Sequence, residues 1–329
     1  MHILHQFAYK DALDETEGEV ETADVPHTID RRTAAGRPRV RLDIERWGNV
    51  AVAFSAIGFG LSPLLATRAF DHGVAPISAA FVRVTAVMLI MSPFARRAAR
   101  WGRQAWIVGG GGAISMLGFA GFFIALDRAP VAAATVVYYT YPVVVLVLSA
   151  IMWRRRMHVW EAAMCAAVIV GVALAVGPIS MSGALIVALA PAFAAPVGWG
   201  VYLLVLSGPA AAMPTLPKVF AGSCGGAAVL LPIVLVTSGW HIVPATSGAI
   251  TSLALLTACT FAIPAVLVSW GAARSGERAT AMIGSAEFAV AVVIGWVFLG
   301  DDLSRLQVAG IALVLGAAVV AARRSDRAL

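Results

Sequence analysis

Charge is scarce in this chain: only 13% of its 329 residues are Asp, Glu, Lys or Arg, whereas 60% are hydrophobic and the mean hydropathy is +0.85. A water-soluble domain needs more polar surface than this composition supplies. Cysteine is nearly absent too. Cys165, Cys224 and Cys259 fall inside apolar runs with no close spacing, which argues against a disulfide or a thiolate metal site and leaves them as small core hydrophobes. None of the six histidines lies deep in an apolar run, and no His/Cys/carboxylate cluster, nucleophile elbow or phosphate-binding loop occurs. An intramembrane hydrolase or metalloprotease has little to work with, primary pumping by this chain alone is disfavoured, and no cofactor is expected.

What is present is repetition. From about residue 50 the chain alternates apolar runs of roughly 18 to 24 residues with short polar or basic breaks, and each run is long enough to cross a bilayer core as a helix. Ten such runs are expected: 50–68, 75–94, 105–126, 131–153, 159–177, 183–206, 219–237, 248–271, 279–299 and 306–322. The third, with "GGGG" at 109–112, is the least helix-like by propensity. Transmembrane helices nonetheless tolerate glycine, because small residues let neighbouring helices approach closely. The fold class expected is therefore an all-α integral membrane protein.

Residues 1–47 are a different material. Residues 10–30 carry eight acids against one lysine and residues 31–46 carry six arginines, a charge-separated pattern that reads as a disordered tail. The order of a secretory signal is missing from it, so no cleaved leader is read. Its arginine-rich half precedes the first run, where it holds the amino terminus in the cytoplasm or touches anionic lipid.

Basic residues of alternate connections set orientation. Arg31 to Arg46, Arg96, Arg97, Arg100, Arg103, Arg154 to Arg156, Lys218, Arg274, Arg278, Arg323, Arg324 and Arg327 fall on one side; Arg68, Arg128 and Arg305 fall on the other. This asymmetry implies an even number of spans with both termini cytoplasmic, in an inner or plasma membrane. It also accounts for the net charge of +6 without a nucleic-acid partner.

An offset of 146 lays residues 125–163 over 271–309, with Arg128 on Arg274, Ala133 on Ala279 and Tyr141 on Glu287. Five helices per half is an odd number, so the second half enters the membrane from the opposite side. Two inverted five-helix repeats, 48–178 and 179–329, are a transporter architecture with the substrate site near the midplane.

Three stretches carry a family resemblance. "VVYYTYPVVVLVLSAIMWRRRM" resembles the fourth helix of the EamA-type drug/metabolite transporters, "SAEFAVAVVIGWVFLGDDLSRLQVAGIALVLGAAVV" is similar to their ninth and tenth helices, and "FVRVTAVMLIM" to the second, which often bears an arginine. Two departures stand out. Phe288 occupies a position where the ninth helix often has proline, which removes the usual sign of a broken helix at Glu287. Arg155 stands where an acid often follows the fourth helix, while Asp301 keeps an acid at the second boundary. The resemblance spans about residues 50–323 and implies transport of a small metabolite, amino acid, drug or sugar phosphate, with efflux the favoured direction.

Polar residues inside the apolar runs are the candidate site. Thr280, Gly284, Glu287, Ala291 and Gly295 share one helical face, small except for the acid. A charge at the bilayer centre costs on the order of 2.5 to 3.5 kcal/mol on insertion scales, so Glu287 should face a cavity or a partner. It fits a proton-coupling site, and it equally fits a protonated carboxyl that fixes packing. Arg83 is set to pair with Glu287 or a substrate carboxylate, or to snorkel to the outer headgroups. Tyr138 and Tyr141 share a face of the fourth run beside Pro142, whereas Tyr139 should point elsewhere. Pro191 and Pro196 predict a kink before Trp199 and Tyr202, which would form a binding wall or pack between helices. The partners expected are a small-molecule substrate, the lipid bilayer and protons as coupling ion, with a homo-oligomer left open.

A passive channel of the same fold and a non-transporting scaffold or sensor are the competing readings. Deletion of residues 1–45 separates the last of these: a transporter lacking its tail still inserts and moves solute in a vesicle flux assay, whereas a scaffold working through the tail loses its function.

Overall fold

The computed structural model describes residues 37–126, 128, 131–154, 156–176, 183–239, 242, 246–294, 297–298 and 304–325. Contacts divide the chain after Val40, and the architecture below is that of Arg41–Leu329. Among the described residues the regular structure is helical throughout. In chain order the helices are α1 (Arg37–Gly60), α2 (Ser62–Asp71), α3 (Pro76–Ile90), α4 (Ala95–Arg100), α5 (Gly102–Leu126), α6 (Val131–Tyr138), α7 (Tyr141–Trp153) and α8 (Val159–Val176). They continue with α9 (Gly183–Leu189), α10 (Ala194–Ser207), α11 (Thr215–Ser238), α12 (Ser247–Thr257), α13 (Ile263–Gly284), α14 (Ala286–Ile294) and α15 (Arg305–Ser325).

Proline and glycine punctuate this order. Proline sits in the first turn of α2, α3, α7 and α13, where its missing N–H has no helical partner to lose. Pro191 falls in a 3-10 turn, Ala190–Phe193, between α9 and α10, where the α-helical ladder of the sixth run is interrupted. Inside α13, Gly276 has φ of 77° and ψ of 165°, a left-handed, non-helical conformation open to glycine and strained for other residues.

Eight helical segments among the described residues are long and apolar enough to cross a membrane, or nine when Pro76–Ile90 and Ser92–Arg100, which meet at 53°, count as one span. The difference from ten lies in Ser247–Ile294, which runs for 48 residues as one segment. At its amino end α1 begins at Arg37, so part of the arginine-rich half of the expected tail is helical. Arg155 and Asp301, the two boundary positions singled out above, lie outside the described residues, as does the acidic half of the tail.

The "GGGG" run is continuous helix, and its neighbours explain why. Helix α5 packs against α10 and α11. A Cβ on Gly225 of α11 would land on the Gly109 carbonyl, and one on Gly112 would land on the Gly222 carbonyl. Gly171 of α8 and Gly310 of α15 abut each other's carbonyls in the same way. Lipid offers no hydrophobic drive for helix association, so dispersion at such close approaches supplies it and outweighs the poor intrinsic propensity of glycine. The repeat offset is visible in the elements too: adding 146 to Tyr141 and Val159, the first residues of α7 and α8, gives Glu287 in the first turn of α14 and Arg305 at the start of α15.

Two alanine substitutions test the packing. Gly225→Ala should destabilise the detergent-solubilised protein by about 1–3 kcal/mol, the range for overpacking. Gly110→Ala, whose Cβ meets nothing within 4 Å, should leave the melting temperature unchanged or raised.

Candidate functional site

Glu287 lies in the first turn of α14, with 6% of its surface exposed. The helix is interrupted just before it. Helix α13 ends at Gly284, and the Ser285 hydroxyl folds back to donate to the Met282 carbonyl at 2.6 Å. The Phe288 N–H then donates to the Ser285 carbonyl at 3.2 Å, a tighter turn than the α-helical one. So the interruption forms without a proline at 288; a serine hydroxyl and a tightened turn replace it. The first half repeats the device. Helix α6 ends at Tyr138, the Thr140 hydroxyl donates to the Val137 carbonyl at 2.7 Å, and α7 restarts at Tyr141, followed by Pro142.

These two interruptions face each other through an aromatic cluster. Tyr138, Tyr139 and Tyr141 all lie close to the Glu287 carboxyl. Ring centroids of Tyr138 are 5.1 Å from Tyr139 and 5.6 Å from Tyr141, and Tyr139 meets Phe288 edge-on at 5.0 Å. Tyr139 therefore belongs to the cluster, contrary to the helical-face expectation: the turn at residues 139–140 rotates it from the place a continuous helix would assign. One carboxyl oxygen of Glu287, Oε1, is buried without a hydrogen-bond partner among the described residues. A polar atom in that position is costly unless a proton, a water or a ligand meets it.

Beside this cluster lies a small central cavity of about 30 Å³, room for no more than a water or two. Trp199 and Tyr202 line it together with Phe59, Ser115, Ser223 and Ser269, so α1, α5, α10, α11 and α13 all contribute walls. Trp199 and Tyr202 also pack on each other at 5.9 Å, and Phe59 meets Trp199 edge-on at the same distance. Glu287, Tyr138 and Tyr141 are not among the lining residues.

Arg83 turns away from Glu287, one of the partners expected for it. No ion pair to Glu287 forms; its guanidinium donates to the Thr260 hydroxyl at 3.5 Å and lies 5.3 Å from the centre of the Phe261 ring. Its Nε is buried without a hydrogen-bond partner among the described residues. Thr260 in turn donates to the Leu256 carbonyl at 2.6 Å, inside a π-helical turn, Ala258–Ala262, that joins α12 to α13. Such turns disrupt the regular bonding ladder and recur at functional sites.

One cluster went unnoticed in the sequence. Glu161, Ser149, Glu277 and Arg278 converge at the arginine-rich end of the helices, across 117 to 129 residues of chain. Arg278 had entered only as a topology signal, and no local spacing links it to Glu161.

Both halves of the chain match one family, described as the EamA-like transporter family, over residues 46–177 and 183–323. No curated protein matches. Among the solved structures, a crystal structure 22% identical in sequence superimposes with a TM-score of 0.67, covering 82% of this chain and 95% of its own. At that identity the likeness speaks for the fold alone.

A double-mutant cycle measures the cluster. Tyr138→Phe and Tyr139→Phe should each lose stability in the parent and lose less in a Glu287→Gln background, with a coupling of about 0.5–3 kcal/mol read from unfolding in detergent.

Proposed function

The chain belongs to the EamA-like transporter family, and on that premise we propose that it is a secondary transporter with ten spans in two inverted five-helix halves. It moves a small metabolite, such as an amino acid or a drug, across the inner or plasma membrane by alternating access. Two features support the span count. A run of 48 residues is more than twice the ~20 that a bilayer core takes, and Gly276 breaks it at a left-handed turn. Dividing Ser247–Ile294 there turns nine segments into ten. An even count then agrees with the arginine asymmetry and with both termini in the cytoplasm.

The observation that carries the functional reading is the buried carboxyl of Glu287, one oxygen of it unpartnered among the described residues, at a helix interruption facing the matching interruption of the other half. Paired interruptions at equivalent positions of two repeats are where transporters of this architecture place substrate and coupling ions. A buried carboxyl surrounded by tyrosines, with one oxygen lacking a hydrogen-bond partner among the described residues, is suited to take up and release a proton as the surrounding helices move. The central cavity, walled by Trp199 and Tyr202, is the place for the solute. It is an order of magnitude below the ~300–1,000 Å³ of small-molecule sites, so loading requires the helices around it to separate. Efflux is the direction we assign, driven by inward proton movement through Glu287.

Purified protein in proteoliposomes tests this. An imposed pH gradient should drive accumulation of a transported solute above its equilibrium level, and Glu287→Gln should abolish that accumulation while leaving the protein folded. Flux that never exceeds the solute's own gradient, with or without the substitution, would instead identify a passive channel.

A further inference from the structure

At the arginine-rich end of the bundle, the two halves are joined by a buried polar chain that the functional reading has not used. One nitrogen of Arg278 donates to both carboxyl oxygens of Glu161, at 2.8 and 2.7 Å. Its Nε donates to the Ser149 hydroxyl at 3.0 Å, and that hydroxyl donates to Glu277 Oε1 at 2.6 Å. The backbone N–H of His158 adds a bond to Glu161 Oε2 at 2.9 Å. Ser149 is wholly buried, and Glu161 and Glu277 are buried too. Ser149 and Glu161 come from α7 and α8 of the first half; Glu277 and Arg278 come from the second.

The position of this chain is as informative as its bonds. Glu277 and Arg278 directly follow Gly276, the one residue within α13 whose backbone leaves the helical region. A left-handed glycine at a helix break is a place where φ and ψ change at little steric cost, the property of a hinge. Toward the opposite end, the described residues hold the halves with weaker means: the Ser78 hydroxyl donates to that of Ser238 at 3.1 Å, and Gly248 admits the His72 ring. Among the described residues, then, the first end holds a buried ion pair and the opposite end holds this neutral bond.

We propose that Arg278, Glu161, Ser149 and Glu277 form the gate that closes the central cavity toward the arginine-rich, cytoplasmic side, with Gly276 as its hinge. The assignment rests on the transporter reading, because alternating access requires each end to open in turn. It adds the residues that hold one end shut. The ion pair is suited to this because two buried charges stabilise only the geometry in which they meet: separated, each must be rehydrated, so the closed and open arrangements are discrete.

Accessibility reads the gate without requiring transport. In full-length protein carrying Cys165→Ala, Cys224→Ala and Cys259→Ala, a single reporter Ser269→Cys is placed on the cavity wall. Inside-out membrane vesicles are then exposed to a membrane-impermeant methanethiosulfonate. Reporter labelling should be slow with the gate intact and should rise by about five-fold or more with Arg278→Gln or Glu161→Gln, the lower end of ordinary coupling between sites. The double variant should label no faster than either single one, because the pair acts as a unit. Ser149→Ala, which keeps every charge and removes only the bridging hydroxyl, should give a smaller rise and stands in if a charge variant fails to fold. Labelling unchanged in Arg278→Gln, Glu161→Gln and Ser149→Ala overturns the gate, as do single effects that multiply in the double variant. Flux in proteoliposomes separates the two readings. Faster labelling without solute flux keeps the gate and removes the transporter; flux with unchanged labelling does the reverse.

Discussion

Close approach between helices is the constraint on which this structure depends. Within lipid every backbone N–H and C=O must be satisfied inside the protein, which dictates helices, but burying leucine or valine against another helix gains little over burying it in acyl chains. What remains is dispersion at short range and interhelical polar contact. The glycine crossings provide the first: Gly109 and Gly112 of α5 meet Gly225 and Gly222 of α11, and Gly171 of α8 meets Gly310 of α15. In the first of these crossings a first-half helix meets a second-half helix, and so does the α8–α15 pair. The halves are therefore held by the same contacts that bring the walls of the central cavity together.

Against that tightly packed background, the polar groups are few and each has a distinct solution. Glu161 is an acid whose charge is met by Arg278 and a backbone N–H. Glu287 is an acid with tyrosines beside it and one oxygen buried without a hydrogen-bond partner among the described residues. The first pairs both carboxyl oxygens and holds a conformation; the second leaves one oxygen unpartnered among the described residues and is where a proton or ligand has something to gain. Arg83 is intermediate, with a threonine partner in a π-helical turn and one nitrogen unsatisfied. Helix interruption links these cases, since Glu287, Thr260 and Arg278 each lie within three residues of a place where the regular α-helical ladder is broken. Breaks free backbone groups and bend the chain, and in a membrane they persist only where the protein covers them.

Much of this was legible beforehand, for a definite reason. Apolar runs and basic breaks report how each segment meets lipid or water, a property that each residue carries independently of its partners. Glu287 was conspicuous because an acid in such a run is expensive. The interruption at Pro191 was legible because proline acts locally. The interruption before Glu287 was not, since Ser285 and a tightened turn replace the expected proline. Tyr139 was misplaced because helical-face arithmetic assumes a continuous helix, which the turn at 139–140 breaks.

By itself, then, the sequence determined that the chain is a series of apolar helices with a charged amino-terminal segment, that its two halves are alike, and which acid lies deep within an apolar run. Tertiary structure alone decided that Arg83 turns to Thr260, that Tyr139 joins the Glu287 cluster, that the cavity has room for no more than a water or two, and that Glu161 finds Arg278 across 117 residues. The physical reason is the same in each case. Hydropathy fixes which environment a segment enters, but which side chains then meet depends on helix rotation and separation, and those follow from glycine contacts and helix breaks distributed over the whole chain.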